Sequence, residues 1–292
     1  MRATAILGLG SSSRALKLFQ KDLSTTWKTG LPASPVETDA ILIFGGDGTI
    51  HRHLSHLVDL GLPVLVVPCG SGNDFARALT IRSVRDSLAA WRKFSTGGKN
   101  LRTIDLGVIQ PLNSVEPAKS VYFCCVGGVG LDGEITRRAN RLPRWLRANG
   151  GYALSLPFAL LGHTPHIMKI SEVNSTQSGF LIERSNRPTV LAAFANTPVY
   201  GGGMKIAPRA QLDDGLLDVC VVGAVARSRL LRLFPSVYFG RHLDVPEVEY
   251  FQSGRLRIET EIPLYVFADG EYICRTPMEV STAPRKLTVV VP

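Results

Sequence analysis

From residue 1 to about residue 106, apolar positions come in short solid runs separated by amphipathic stretches. TAILGLG, AILIFGG and PVLVVPCG each end in glycine, which is how parallel strands buried on both faces read. Between them the spacing turns helical. SRALKLFQKDL sets Leu16, Phe19 and Leu23 on one stripe, HRHLSHLVDLG sets Leu54, Leu57 and Val58, and RDSLAAWRKF sets Leu88, Trp91 and Phe94. This alternation predicts an open, mostly parallel α/β sheet, in which ligands bind beyond the carboxyl ends of the strands.

From about residue 103 the texture changes to many short β-branched runs with turns between them: TIDLGVIQ, SVYFCCVGG, PTVLAAFAN, LLDVCVVG, RLRIET, LYVFADGEYI and KLTVVVP. That density of strands predicts a β-rich, antiparallel, sandwich-like second domain, interrupted by helical insertions around 142–161 and 227–241. The expected division is 1–106 and 107–292, with the final segment, about 284–292, a candidate to return to the first domain. Asp-Gly recurs at 47, 132, 214 and 269, each time near the end of an apolar run, and is the common hairpin-turn pair.

The formal charge of +9 favours anionic partners without choosing among nucleotide phosphates, nucleic acid and acidic lipid. Arg137, Arg138, Arg141, Arg144 and Arg147 cluster beside Trp145, Leu146, Tyr152 and Phe158. Arginines beside apolar residues suit contact with an anionic membrane surface, or else the aromatic residues pack into their own domain. No nucleic-acid-binding module is recognisable, so no nucleic-acid partner is expected. Cys69, Cys124, Cys125, Cys220 and Cys274 lie in or beside apolar runs without ligand spacing, so they read as core thiols in a reducing, cytoplasmic setting. The longest helix-like apolar stretch, LSLPFALLG, is too short to span a bilayer, so any membrane contact would be peripheral.

Gly45-Gly46-Asp47-Gly48-Thr49 stands where a buried strand hands over to a helix. Glycines there let phosphate approach main-chain N–H groups, and a helix N-terminus adds favourable partial charge. No Lys-Ser/Thr pair follows, so this is not a Walker A loop. The next strand delivers Gly70-Ser71-Gly72-Asn73-Asp74, and two such loops on one side of a parallel sheet can face one another across a nucleotide. Asn73 and Asp74 also suit an N-cap on the helix beginning FARAL. His51, His53 and His56 look like a metal cluster, but His51 and His53 fall on different helix faces.

At this point the chain resembles the diacylglycerol kinase catalytic-domain family of lipid kinases, which includes bacterial diacylglycerol kinase-like proteins and sphingosine kinases. Four stretches carry the resemblance: Gly45 to Thr49, Gly70 to Arg77, Gly201-Gly202-Gly203 through Asp213-Asp214-Gly215-Leu216, and Asp269-Gly270-Glu271. The first is shared with NAD kinases; the second and third are specific to the lipid kinases. The resemblance implies an ATP-dependent, Mg2+-requiring kinase of lipid metabolism and phospholipid biosynthesis, with the lipid hydroxyl phosphorylated in a cleft between a nucleotide-binding and a substrate-binding domain. It implies that Gly45, Gly46, Asp47, Gly48 and Thr49 with Gly70, Ser71, Gly72, Asn73 and Asp74 hold the nucleotide. Asp47 would join the catalytic magnesium network and Glu271 would be the base. Asp214 with the backbone carbonyls of Gln211 and Leu216 matches a structural magnesium site of the bacterial members. A homodimer is compatible with it.

The chain departs from the family in two places. Gly8-Leu9-Gly10-Ser11-Ser12-Ser13 replaces an Asn-Pro motif after the first strand, and Arg52 stands where many relatives carry an acidic residue. A threonine that commonly touches ATP corresponds to Thr25 or Thr26. The alternatives are an NAD-kinase-like enzyme with a soluble substrate and a catalytically impaired nucleotide- or lipid-binding protein.

Overall fold

In the computed structural model, residues 1–8, 12–22, 24–113, 119–131, 133, 162, 164–173 and 180–292 are described. Leu9, Gly10, Ser11, Leu23, Asp132, the helical insertion at 142–161 and the arginine-aromatic cluster from Arg137 to Phe158 lie outside the described residues. The chain divides into two compact units, Met1–Asp105 with Pro284–Pro292, and Leu106–Ala283.

The first unit is built on strands β1 (Arg2–Leu7), β2 (Thr26–Thr29), β3 (Ala40–Gly45) and β4 (Val64–Pro68). Strand β1 pairs in parallel with β2 and β3, β3 pairs in parallel with β4, and Val289 pairs in parallel with Val64 at the far side of β4. Every residue of β3 is buried, as expected of a central strand covered on both faces. Helices α1 (Ser12–Phe19), α2 (Asp47–Leu60), α3 (Asp74–Ala78) and α4 (Val84–Ser95) connect the strands. The apolar stripes meet the sheet as their spacing predicts: Phe19 packs edge-on to Phe44 at 5.1 Å and Trp91 lies 5.5 Å from Trp27. Leu54 and Leu57 of α2 are fully buried. A capping box closes the start of α4, with Ser83 and Asp86 each accepting from the other's backbone N–H.

Strand β5 (Leu101–Pro111) leads into the second unit, which is β-rich and sandwich-like. Its strands are β6 (Val121–Phe123), β7 (Val126–Gly130), β8 (His166–Val173), β9 (Leu181–Ala195), β10 (Leu217–Gly223), β11 (Val248–Ser253), β12 (Arg255–Thr260), β13 (Tyr265–Ala268), β14 (Glu271–Arg275) and β15 (Met278–Val290). The pairings that tie this unit together are antiparallel. Phe123, Val129, Phe194, Val219, Leu256 and Val280 belong to its buried core. One helix, α5 (Arg227–Leu233), interrupts the strands within the second expected insertion and continues as 3-10 turns over Phe234–Phe239 and Arg241–Asp244.

The run SVYFCCVGG does not form one strand. It breaks at Cys124 and Cys125, whose N–H groups leave the ladder and donate to the carboxylate of Asp269. Among the described residues, no helix is long and apolar enough to cross a membrane.

Candidate functional site

In the first unit the two glycine loops touch. The Cys69 N–H donates to Gly45 O at 3.0 Å, which carries the pairing of β3 and β4 beyond the strand ends. A Cβ at Gly46 would sit 2.9 Å from the Gly70 Cα, and one at Gly70 would collide with the Gly46 backbone. Thr49 presses on the other side: its Oγ1 lies 2.5 Å from where a Gly45 Cβ would be and 2.6 Å from that of Gly8. Only glycines allow this approach of one loop to the other.

Asp47 joins the loops electrostatically. Its Oδ2 accepts the Asp74 N–H at 3.0 Å and its Oδ1 accepts the Phe75 N–H at 3.1 Å. A carboxylate is thus held against the positive end of α3, where two otherwise orphaned donors are satisfied. Helix α2 begins at Asp47, with Gly46 as N-cap, so the expected strand-to-helix handover falls inside the motif and Asp47, Gly48 and Thr49 are the helix's first turn. One sequence expectation is corrected. The Asn73 side chain does not cap α3: Asn73 has φ of 55° and spends its amide on its own loop, with Oδ1 accepting from Gly70 N and Nδ2 donating to Gly70 O. Asp47, from the neighbouring loop, supplies the cap. Asp74 is buried and accepts from Arg77 Nη1 at 2.7 Å, whereas Ser71 is exposed.

The histidines after Thr49 gather no metal cluster among the described residues. His56 bonds the Pro32 carbonyl at 2.8 Å. The His53 pKa is lowered by burial, with Arg52 and His56 adding to the effect. Arg52 itself is exposed on the first turns of α2.

In the second unit, strand register lines up a row at one end of the sheet. Gln252 lies opposite Asp218, Asp218 opposite Ala195, and Ala195 opposite Val126, whose carbonyl accepts the Asp269 N–H at 3.0 Å. Asp214 hangs from this row. Its Oδ1 accepts Leu216 N at 3.0 Å and its Oδ2 accepts Gln252 Nε2 at 3.2 Å, while the other reach of Gln252 is to Asp218. The Asp218 carboxyl pKa is raised by burial, against the hydrogen bonds from Tyr250 and Gln252. Asp218, Tyr250 and Gln252 escaped the sequence reading because their meeting depends on strand pairing.

At the other end of the row, Asp269 has φ of 51° and Gly270 of 83°, the left-handed turn that joins β13 to β14. The Asp269 carboxylate accepts Cys124 N at 2.9 Å and Cys125 N at 2.8 Å. Cys124, Cys125 and Asp269 are close enough to share a metal ion, and each Asp269 oxygen already accepts one backbone N–H, as each Asp47 oxygen does. Burial pushes the core thiol of Cys220 up to about 12 and that of Cys274 to about 11, so both stay protonated and inert at neutral pH. Glu271, two residues after Asp269, is exposed at the start of β14.

The second unit also holds an apolar pocket between β9, β10 and the α5 segment, partly open to solvent. Val190, Met204, Val222, Leu230, Phe234 and Val237 are among its walls.

A family model for the YegS C-terminal NAD kinase beta sandwich-like domain matches residues 125–291, and one for the diacylglycerol kinase catalytic domain matches residues 19–109. A diacylglycerol kinase of Mycobacterium tuberculosis is 31% identical over 264 residues, spanning 87% of this chain and 77% of that protein. The chain belongs to the diacylglycerol kinase family. That membership places it among the lipid kinases. A crystal structure of a diacylglycerol kinase from Bacillus anthracis has the same fold, with a TM-score of 0.66 at 18% identity over all of this chain and 97% of that one. An NAD kinase from Archaeoglobus fulgidus, solved in complex with ATP, shares it more loosely, with a TM-score of 0.56 at 12% identity over 99% and 93% of the two chains. Within this kinase family member, Gly45–Thr49 and Gly70–Asp74 form one assembly, while Asp214, Leu216 and Glu271 adjoin the acidic end of the second unit's sheet and Gln211 is exposed.

Proposed function

We propose that this protein is an ATP-dependent kinase that transfers the γ-phosphate of ATP to the hydroxyl of a diacylglycerol-like lipid. The observation that carries the lipid acceptor over a soluble one is the apolar pocket of the second unit, whose walls suit hydrocarbon and offer few polar groups to a dinucleotide such as NAD. The glycine loops support ATP, because they meet at the N-terminus of α2, where backbone N–H groups and the helix dipole favour phosphate.

In this mechanism Gly45–Thr49 and Gly70–Asp74 hold and orient the triphosphate. Glu271 takes the proton from the lipid hydroxyl, the hydroxyl oxygen bonds to the γ-phosphorus, and the bond to the β–γ bridging oxygen breaks to release ADP. Little else is asked of the protein beyond in-line positioning. The oxygen donors of Asp47, and of Asp214 with the carbonyls of Gln211 and Leu216, are of the kind a hard cation such as Mg2+ takes, and these residues would hold it. When bound, that ion supplies neutralisation of phosphate charge.

Filling the pocket tests the acceptor assignment. Val222→Phe should raise KM for a long-chain diacylglycerol by about tenfold, a loss of the size a mis-shaped hydrophobic pocket produces, and leave KM for ATP unchanged. An unchanged lipid KM in a folded variant would remove the pocket from the proposal.

A further inference from the structure

The α5 segment has two contrasting faces. Leu230, Leu233, Phe234 and Val237 recur at helical spacing and wall the apolar pocket. Arg227, Leu231, Arg232, Phe239 and Arg241 face solvent, with Phe239 72% exposed. From 227 to 244 the segment carries four arginines against the single carboxylate of Asp244. Arg229 pairs with Glu247 at 3.0 Å and ties the segment to the turn before β11. The cationic surface continues onto Lys205, exposed, whose N–H donates to the Val237 carbonyl at 3.0 Å.

Exposed apolar side chains set among arginines, on a short helix with an apolar hollow behind it, suit one partner chemistry. Arginines meet anionic headgroups, while leucine and phenylalanine enter the headgroup and acyl boundary. We propose that segment 227–241 is the face on which this protein lies against an anionic lipid bilayer, and that it forms the lid past which an acyl chain enters the pocket. The lid role rests on the lipid-kinase proposal; the docking role stands on charge and exposure alone. Segment 227–241 is separate in sequence from the arginine-aromatic stretch at 137–158 that the sequence singled out.

The test uses the full chain and two kinds of vesicle, phosphatidylcholine alone and phosphatidylcholine with phosphatidylglycerol. The protein should sediment with the anionic vesicles at least about tenfold more tightly than with the neutral ones, and added salt should erase the difference. A combined Arg227→Glu, Arg232→Glu and Arg241→Glu variant should lose that preference. Leu231→Ser with Phe239→Ser should cut retention on anionic vesicles while keeping the salt dependence. All of these residues lie outside the pocket wall, so turnover of a monomeric short-chain diacylglycerol in solution should be unchanged in both variants. Thermal melting identifies a misfolded variant, and Arg232→Glu alone then replaces the triple substitution. Undiminished anionic-vesicle binding in the folded arginine variant overturns the docking face. If no diacylglycerol of any length is phosphorylated, the lipid-kinase proposal and the lid fall together, and the vesicle result still decides the docking face separately.

Discussion

Asp47 and Asp269 each precede a glycine, and each uses both carboxylate oxygens to accept N–H groups from two successive residues of another segment. In the first unit the held residues are Asp74 and Phe75, the start of a helix; in the second they are Cys124 and Cys125, the break between two strands. The surroundings differ more than the clamps do. Asp47 lies in the first turn of α2 beside the paired glycine loops, so one carboxylate is both the clamp and the candidate ligand. Around Asp269 the work is divided, because the candidate base, Glu271, stands two residues away and exposed. Stability and chemistry should therefore fail together in the first unit and come apart in the second.

The largest effect is expected at Asp47. Asp47→Ala removes the acceptor for two backbone donors and should destabilise the fold by about 1–3 kcal/mol in urea denaturation, while phosphoryl transfer falls to background. Full activity in a folded Asp47→Ala protein would break the comparison. Glu271→Gln should lower turnover by about 10² to 10⁴, the worth of a general base, with a melting curve that overlays the parent, since its side chain is exposed. Asp269→Ala should do the reverse. Leaving two N–H groups in a buried corner unpaired should cost about 2–4 kcal/mol, and turnover per folded molecule should fall far less than in Glu271→Gln. Gly70→Ala sharpens the comparison further: the methyl group meets the Gly46 backbone, so KM for ATP should rise while the lipid KM holds.

The smallest effect concerns Asp218, whose pKa burial raises. A raised folded-state pKa means the native state binds the proton more tightly than the unfolded chain does. Stability from this group is therefore fullest below the ordinary aspartate range and is lost as pH rises through the folded pKa. Asp218→Asn has no such proton to lose, so its stability relative to the parent should improve from about pH 4 upward, read as the difference between the two urea midpoints. A constant difference across pH would remove Asp218 as a titrating group.

Much of the first unit was legible because local pattern and tertiary role agree there. Solid apolar runs became buried parallel strands, and Phe19, Leu57 and Trp91 fell on inward faces. The short polar strand β2, TWKT, was missed because only half-burial of Trp27 marks it. Strands β8 and β11 were missed for a similar reason, since HIMKISEV and VEYFQS mix polar and apolar positions on a half-covered surface. The glycine motifs announced their loops, but not that Asp47 would cap a helix 27 residues further along. Likewise nothing local ties Asp269 to Cys124, which is 145 residues away in sequence. Such contacts come from strand register, which a one-residue slip would erase and which no short window contains.

The central claim is transfer of phosphate from ATP to a lipid hydroxyl. Its most direct test is incubation of the purified protein with γ-labelled ATP, magnesium, diacylglycerols and related lipids, and NAD in one panel, with the products separated by phase. The account predicts label in the lipid phase, lost in Glu271→Gln. Label in NAD with none in any lipid would contradict it, as would bound ATP with no transfer to any acceptor.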